Sequence, residues 1–149
     1  MMTQAEYKAA LLSALDSCRD EITNNVSGAI QNLPEKAKGF DIGVHPDQDQ
    51  EGFLTVMIHV VGPDLYVLNK AIQDFRLLFK IRHEETGMSF GLPMFEPYGE
   101  EVPVGDVQVD TVAEWFGAFW PSVDDLAFQK PVTVVGADGF GTSPQKKLN

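Results

Sequence analysis

The sequence contains little cysteine and no long apolar run. One of its 149 residues is cysteine, Cys18, so no disulfide can form within it, which favours a reducing compartment. The longest apolar run, residues 53–61, is interrupted by Thr55 and His59, whereas a membrane-spanning helix needs about 20 apolar residues. The first residues lack the basic start and apolar stretch of a signal peptide. We therefore expect a cytoplasmic protein that does not enter a membrane.

Basic residues are absent from a long stretch of the second half. No lysine or arginine occurs between Arg82 and Lys130, and this interval holds ten acidic residues. The formal net charge of the whole chain is −11. Such a charge repels phosphate backbones and anionic lipid, so we expect neither nucleic-acid nor membrane binding. The acidity has two remaining interpretations: it provides solubility, or it attracts a basic protein partner.

The length and the 44% content of apolar residues are typical of one folded domain. We predict a single α+β domain over residues 1–142 and a frayed polar tail over residues 143–149. Thr3 and Glu6 form the pattern of a capping box, and an apolar residue then recurs every three or four positions up to residue 33. This pattern predicts a long N-terminal helix with a bend or break near residues 24–28. Leu15 and Ile22 are predicted to lie on its buried side.

Two predicted strands follow this helix. Residues 40–44 alternate between apolar and polar, and residues 53–61 are apolar and β-branched, so we predict that they pair as a hairpin. Gly62, Pro63 and Asp64 form a helix-start signal, and the apolar stripe behind them predicts a second helix over residues 64–82.

The second half is rich in proline and glycine, and its elements are shorter. Strands are predicted over residues 88–90, 104–109 and 132–135. Thr111 and Glu114 form a second capping-box pattern, which predicts a short, aromatic-rich third helix that ends at Pro121. The predicted fold is therefore α+β, with the first two helices packed on a mainly antiparallel sheet.

Residues 47–52 resemble the opening of a calcium-binding loop, with acidic residues at the first, third and fifth positions and glycine at the sixth. The twelfth position, where an EF-hand needs a glutamate, is Ile58. A solvated hairpin turn is the favoured interpretation, and a calcium site of another type is the alternative.

The three histidines give no metal-site pattern, since no two of them have the spacing of a helical metal site. His59 alternates with apolar neighbours, which predicts a hydrogen-bonded histidine on a sheet face. His45 precedes Pro46 in the predicted turn, so we expect it to be exposed. We therefore predict no metal site and no cofactor.

Two residues could act as nucleophiles, and neither pattern is complete. Cys18 lies on the apolar stripe of the first helix, which favours a buried and unreactive thiol. Ser89 stands in a Gly-x-Ser-x-Gly string, but no histidine follows His83, so a hydrolase triad cannot be completed in the expected order. We predict no catalytic residue.

Nine of the fifteen aromatic residues lie from Phe90 onward. On a helical wheel, residues 115–120 spread their aromatic side chains over an arc wider than a core stripe, so one tryptophan is expected at the edge of the buried face. An exposed aromatic residue surrounded by acids is a common composition for a protein-binding surface. The predicted partner-binding residues are Glu100, Glu101, Trp115, Trp120, Asp124 and Asp125.

These observations leave two hypotheses about function. The first is a non-enzymatic acidic binding protein, such as an immunity or inhibitor protein for a basic protein partner. The second is a small enzyme or small-molecule-binding domain with a carboxylate-lined pocket. A flat acidic face with an exposed aromatic residue favours the first hypothesis, and a deep pocket with converging polar groups favours the second.

Overall fold

The structure is a computed structural model, and it describes residues 2–99, 101–123, 128–143 and 145–149. The described part has an α+β fold, which confirms the predicted class. Its helices are α1 (Gln4–Ser17), α2 (Arg19–Asn32), α3 (Leu65–Ala71) and α4 (Val104–Phe119). Its strands are β1 (Gly39–Pro46), β2 (Leu54–Val61), β3 (Leu77–Ile81), β4 (His83–Glu84), β5 (Gly87–Met88), β6 (Val132–Gly136) and β7 (Gln145–Lys147).

Five of these strands form one mixed sheet in the order β3, β2, β1, β6, β7. The β1–β6 pair is parallel, and the other three pairs are antiparallel. β1 and β2 form the predicted hairpin, and β6 covers the predicted strand at residues 132–135. The short β4 and β5 pair with each other in a separate ribbon.

One face of the sheet supports the core, and the other face is only partly covered. α4 packs against β1, β6 and α1, and α2 packs against β3. Along β2, Leu54, Val56, Ile58 and Val60 are buried, whereas the alternate side chains are half-buried or, at Val61, exposed. This alternation is that of a sheet with one face on the core. Within the described ranges, no helix is long and apolar enough to cross a bilayer.

The first predicted helix is two helices, and the break lies at Cys18 instead of residues 24–28. The capping box at its start is confirmed, since the backbone N–H of Glu6 donates to Thr3 Oγ1 and that of Thr3 to Glu6 Oε1. At the other end, Ser17 Oγ donates to the carbonyl of Ala14 at 2.6 Å, which competes with helical bonding. Gly28 is inside α2, where a Cβ atom would lie 2.4 Å from the ring of Phe75. This glycine therefore makes room for a neighbouring ring and does not break the helix.

The second predicted helix is correct only in its first half. Asp64 caps α3 by accepting a hydrogen bond from the N–H of Val67. The helix ends at Ala71, a 3-10 turn covers Gln73–Phe75, and Leu77–Ile81 forms β3. The apolar run in β3 fits both a helix and a strand by composition, and pairing with β2 decides for the strand.

The strand predicted over residues 104–109 is the first part of α4. The alternating valines of this segment mimic a strand, but the helix is buried on most sides and can carry valine all round. Thr111 is therefore a buried residue inside the helix, and its capping-box pattern with Glu114 marks no helix start. The aromatic-rich helix predicted to be short is therefore α4, which has 16 residues.

Two smaller predictions also differ from the structure. In the segment predicted as a strand over residues 88–90, only Met88 belongs to β5, and Ser89–Gly91 forms a 3-10 turn. The tail predicted to fray from residue 143 contributes β7, which pairs with β6 at the sheet edge. All three residues of β7 are exposed, so its polar composition fits an edge strand as well as a loose tail.

Candidate functional site

The structure separates the predicted partner-binding residues. Glu100, Asp124 and Asp125 lie outside the described residues. Glu101 is exposed, as a surface role requires. Trp120 is half-buried at the edge of the core, with its ring centroid 6.3 Å from that of Phe40. The expectation that one tryptophan sits at the edge of the buried face therefore applies to Trp120.

Trp115 is a core residue, so its prediction as a surface anchor is wrong. Its side chain is buried and stacks on Phe119 with 4.8 Å between the ring centroids. The indole Nε1–H donates to Asp16 Oδ1 at 2.8 Å. This bond satisfies the polar end of the indole, which allows the tryptophan to be buried.

Two acidic segments distant in sequence lie side by side at one end of the β1–β2 hairpin. We call residues 47–52 and 93–99 the acidic loop pair. The backbone N–H of Phe95 donates to the carbonyl of Glu51 at 2.8 Å, and that of Tyr98 donates to the carbonyl of Asp49 at 2.8 Å. These bonds hold the two segments together, and the acidic residues of the pair are Asp47, Asp49, Glu51 and Glu96.

The segment that resembles a calcium loop is closed by its own side chain. The carboxylate of Asp47 accepts hydrogen bonds from the backbone N–H groups of Glu51 and Gly52, both at 3.1 Å. The segment connects β1 to β2, as predicted for a hairpin turn. Across the described residues, no group of three or more histidine, cysteine, aspartate or glutamate side chains could hold a metal ion.

The acidic loop pair is anchored to the core through a buried polar group. Gln108 on α4 is fully buried, and its Nε2 donates to the carbonyl of Gly52 at 3.0 Å and to the hydroxyl of Tyr7 at 2.9 Å. Burial raises the pKa of Tyr7 to about 12, so this phenol is neutral at physiological pH. Gln108 therefore connects Gly52 of the acidic loop pair to Tyr7 on α1 and to α4.

Tyr98 is the prominent aromatic residue of the acidic loop pair. Its side chain is 70% exposed, and the neighbouring Met94 is 47% exposed. The neighbouring carboxylate of Asp49 raises the pKa of the Tyr98 phenol. Tyr98 has a positive φ of 57°, and its N–H bond to Asp49 helps to hold this conformation. Sequence reasoning preferred the tryptophans, although Pro97 and Gly99 mark Tyr98 as the tip of a turn.

A second polar cluster lies on the partly covered face of the sheet. His45 on β1 and His59 on β2 reach towards each other, and their Nε2 atoms are 2.8 Å apart. Arg76, just before β3, donates from Nη2 to His59 Nδ1 at 3.0 Å and from Nε to the carbonyl of Ile58 at 2.9 Å. The prediction that His59 is a hydrogen-bonded histidine on a sheet face is confirmed. His45, expected to be exposed in a turn, is half-buried.

The hydrogen bonds of this cluster fix the protons on both rings. Arginine has only donors, so His59 Nδ1 must accept, and its proton is on Nε2. His59 Nε2 therefore donates to His45 Nε2, and His45 carries its own proton on Nδ1. Burial, followed by the nearby His45 and Arg76, lowers the pKa of His59. We call Arg76, His59 and His45 the histidine chain.

The two candidate nucleophiles, Ser89 and Cys18, lie where secondary-structure elements meet. Ser89 is buried, its Oγ donates to the carbonyl of Arg82 at 3.1 Å, and it accepts the N–H of Arg82 at 3.0 Å. This serine thus ties the 3-10 turn to the end of β3. Cys18, expected to be buried, is half-buried at the junction of α1 and α2.

The fold and its two polar surfaces define an α+β protein with a helix-covered core face, a partly covered sheet face and an acidic loop pair at one end. The chain belongs to a family of unknown function, DUF6389, whose model matches residues 2–149. No curated protein and no solved structure matches the chain. Family membership therefore covers the whole fold and assigns no activity to it.

Proposed function

We propose that this protein is a non-enzymatic binding protein and that its acidic loop pair engages a basic protein partner. The observation that carries the proposal is the exposed Tyr98, whose backbone N–H bonds to Asp49 of the other acidic segment. An amphipathic ring that is already exposed is the type of residue that dominates binding energy at protein interfaces. The surrounding carboxylates would select a partner with arginine and lysine at the matching positions.

The charge of the chain supports a basic partner. The sequence has 22 acidic and 11 basic residues. Among the described residues, one salt bridge forms, between Lys8 and Glu114 at 3.2 Å, and it involves no residue of the acidic loop pair. The loops therefore keep a negative field that no salt bridge within the described residues reduces. Such a field accelerates the encounter with a positively charged protein.

The anchoring of the loops supports binding by a preformed surface. Asp47 closes the first loop, Gln108 holds Gly52, and backbone bonds join the second loop to the first. A surface that is ordered before binding loses less conformational entropy on association. An immunity or inhibitor protein for a basic, cytoplasmic toxin is the concrete form that we propose. The single cysteine fits a reducing compartment of this kind.

The test is a comparison of variants in binding to host proteins, followed by kinetics with the purified partner. The loop variant carries Asp49→Asn, Glu51→Gln and Glu96→Gln in the acidic loop pair, and Glu101→Gln just after it in the sequence. The matched control carries Asp20→Asn, Glu21→Gln, Glu35→Gln and Asp74→Asn, which neutralise four exposed acids elsewhere. We expect slower association and weaker salt dependence for the loop variant than for the control, because only the loop variant changes the interface.

The variant Tyr98→Ala tests the contribution of the ring to affinity separately from the effect of charge on the association rate. Loss of an anchoring ring costs about 2 kcal/mol or more, which corresponds to dissociation about 30-fold faster. The association rate should change little, because the charge is unaltered. A basic partner that binds the loop variant, the control and Tyr98→Ala with equal kinetics would show that the acidic loop pair is not its binding site.

A further inference from the structure

A groove with positive charge lies beside α3, in a protein that is otherwise strongly acidic. Its volume is about 340 Å³, and its lining residues are Leu65, Tyr66, Asn69, Lys70, Gln73 and Arg76. None of these six is acidic, and two are cations. We propose that this groove binds a small organic anion, a carboxylate or phosphate ester with an aromatic or apolar body. The site shares no residue with the acidic loop pair, so the proposal goes beyond the function proposed above.

Arg76 is held in a fixed position for such a ligand. Its Nε bonds to the carbonyl of Ile58 and its Nη2 to His59 Nδ1, which fixes the plane of the guanidinium. These bonds use two of the five N–H groups of arginine, and the planar arrangement of the others matches an oxyanion. His59 is itself held by His45 at 2.8 Å. The histidine chain thus orients the cation before any ligand arrives, which lowers the entropic cost of binding.

Lys70 supplies the second cation of the groove. Its Nζ lies 5.7 Å from the centre of the Tyr66 ring, one turn earlier on α3. A lysine above a ring keeps its three N–H donors available for an anion. Asn69, by contrast, has a structural role, since it accepts from the N–H of Val60 and donates to the carbonyl of Leu65. The anionic group is therefore assigned to the space between Lys70 and Arg76.

We assign the apolar part of the ligand to the exposed side chains of α3 that line the groove. Tyr66 is 75% exposed and Leu65 is 57% exposed, so the core covers little of either side chain. Apolar and aromatic side chains together with a few polar groups are the usual composition of a small-molecule site. The volume of about 340 Å³ falls in the lower range for such sites. A ligand whose ring packs on Tyr66 and whose acidic group points at Lys70 and Arg76 satisfies both features.

The experiment is a titration of the intact protein, followed by NMR, with benzoate, phenyl phosphate, inorganic phosphate and benzyl alcohol. We expect saturable shifts confined to α3 and Arg76 with benzoate or phenyl phosphate. The relative affinities of these two show which anionic group the groove prefers. Inorganic phosphate, which has no ring, and benzyl alcohol, which has no charge, should each bind at least about tenfold more weakly. No saturable shift with either aromatic anion would overturn the proposal, and so would equal binding of benzyl alcohol or inorganic phosphate.

Variants locate the site. Lys70→Gln should weaken binding of the aromatic anion about tenfold, and Lys70→Arg should restore most of it. Lys36→Gln, at an exposed lysine outside the groove, should leave binding unchanged. Lys70 is exposed, so these variants are expected to fold, and unchanged binding by Lys70→Gln would also contradict the assignment. Because the acidic loop pair is intact in every variant, these results are independent of the proposed protein partner.

Discussion

His45 and His59 meet above Gly43, with their Nε2 atoms 2.8 Å apart and their rings at 85° to each other. In the strand register, His59 lies opposite Asp41 and His45 lies opposite Thr55, so each ring leans along the sheet to reach the other. The contact is possible because Gly43, above which the two rings meet, has no side chain. Two histidines distant along the strands thus form one hydrogen-bonded unit with Arg76.

The histidine chain predicts a loss of stability in mild acid. The pKa of His59 is lowered in the folded protein, so the unfolded chain binds a proton first as the pH falls. The free energy of unfolding should therefore decrease as the pH falls through about 6.5, and level off below the folded pKa. Because His59 is half-exposed, we expect a change on the order of 1 kcal/mol or less. Urea melts between pH 5 and 8 measure it.

The matched variants for this measurement are His59→Gln and His83→Gln. His83 is exposed and stands outside the histidine chain, so its variant should keep the pH dependence of the wild type. His59→Gln should flatten it. Asp41 has the opposite effect on the free energy of unfolding at lower pH, because burial raises the pKa of its carboxyl group. An equal slope between pH 5 and 7 in the two variants would contradict the assignment to His59.

Gly43→Ala is predicted to destabilise the protein, although alanine normally suits a strand interior better than glycine. A Cβ atom at this position would lie 2.6 Å from His59 Cδ2 and 2.7 Å from His45 Nε2. Overpacking of this kind costs roughly 1–3 kcal/mol. In a double-mutant cycle with His45→Ala the cost should shrink, because one of the two rings is gone. An equal cost in both backgrounds would show that the rings are not its cause.

The sequence was sufficient for those elements whose signals are local. The capping box at Thr3, the hairpin of β1 and β2 and the strand at β6 depend on neighbouring residues, and all three are confirmed. The segments of β3 and of the first turns of α4 could not be assigned in this way. Both are short and rich in aliphatic residues, and their conformation depends on what they pack against: β2 in one case, and α1 and the sheet in the other.

The candidate sites depend even more on tertiary structure. The acidic loop pair joins residues about 45 positions apart through two backbone bonds, which no local pattern signals. The histidine chain is closer to what the sequence predicts, because the pattern predicts the hairpin and a sheet-face position for His59. The pattern also predicts that His45 lies in the turn, whereas it belongs to the last part of β1, and this difference in the strand boundary hides the pair. Strand ends are where sequence patterns are least reliable.

Core substitutions test the packing of the first two helices. Leu15 on α1 and Ile22 on α2 are fully buried, as predicted. Replacement of either by alanine should lower the free energy of unfolding by roughly 2–5 kcal/mol, through lost burial and the cavity left behind. Leu65→Ala is the matched control, because this leucine is 57% exposed and should cost less than about 0.5 kcal/mol. Urea melts that rank Leu65→Ala with the other two would contradict this packing.

Calcium is predicted not to stabilise the protein, because Asp47 already uses its carboxylate within the loop. Both of its oxygens accept backbone N–H groups, from Glu51 and Gly52 at 3.1 Å. Asp47→Ala should therefore lower the free energy of unfolding by about 1–2 kcal/mol with or without calcium, since two partly buried donors lose their acceptor. Asp49→Ala, which removes a carboxylate without these backbone bonds, should cost less. The measurement is the melting temperature of the wild type and both variants in millimolar calcium and in chelator. A rise of several degrees with calcium, lost in Asp47→Ala and reversed by chelator, would instead establish a calcium site in this loop.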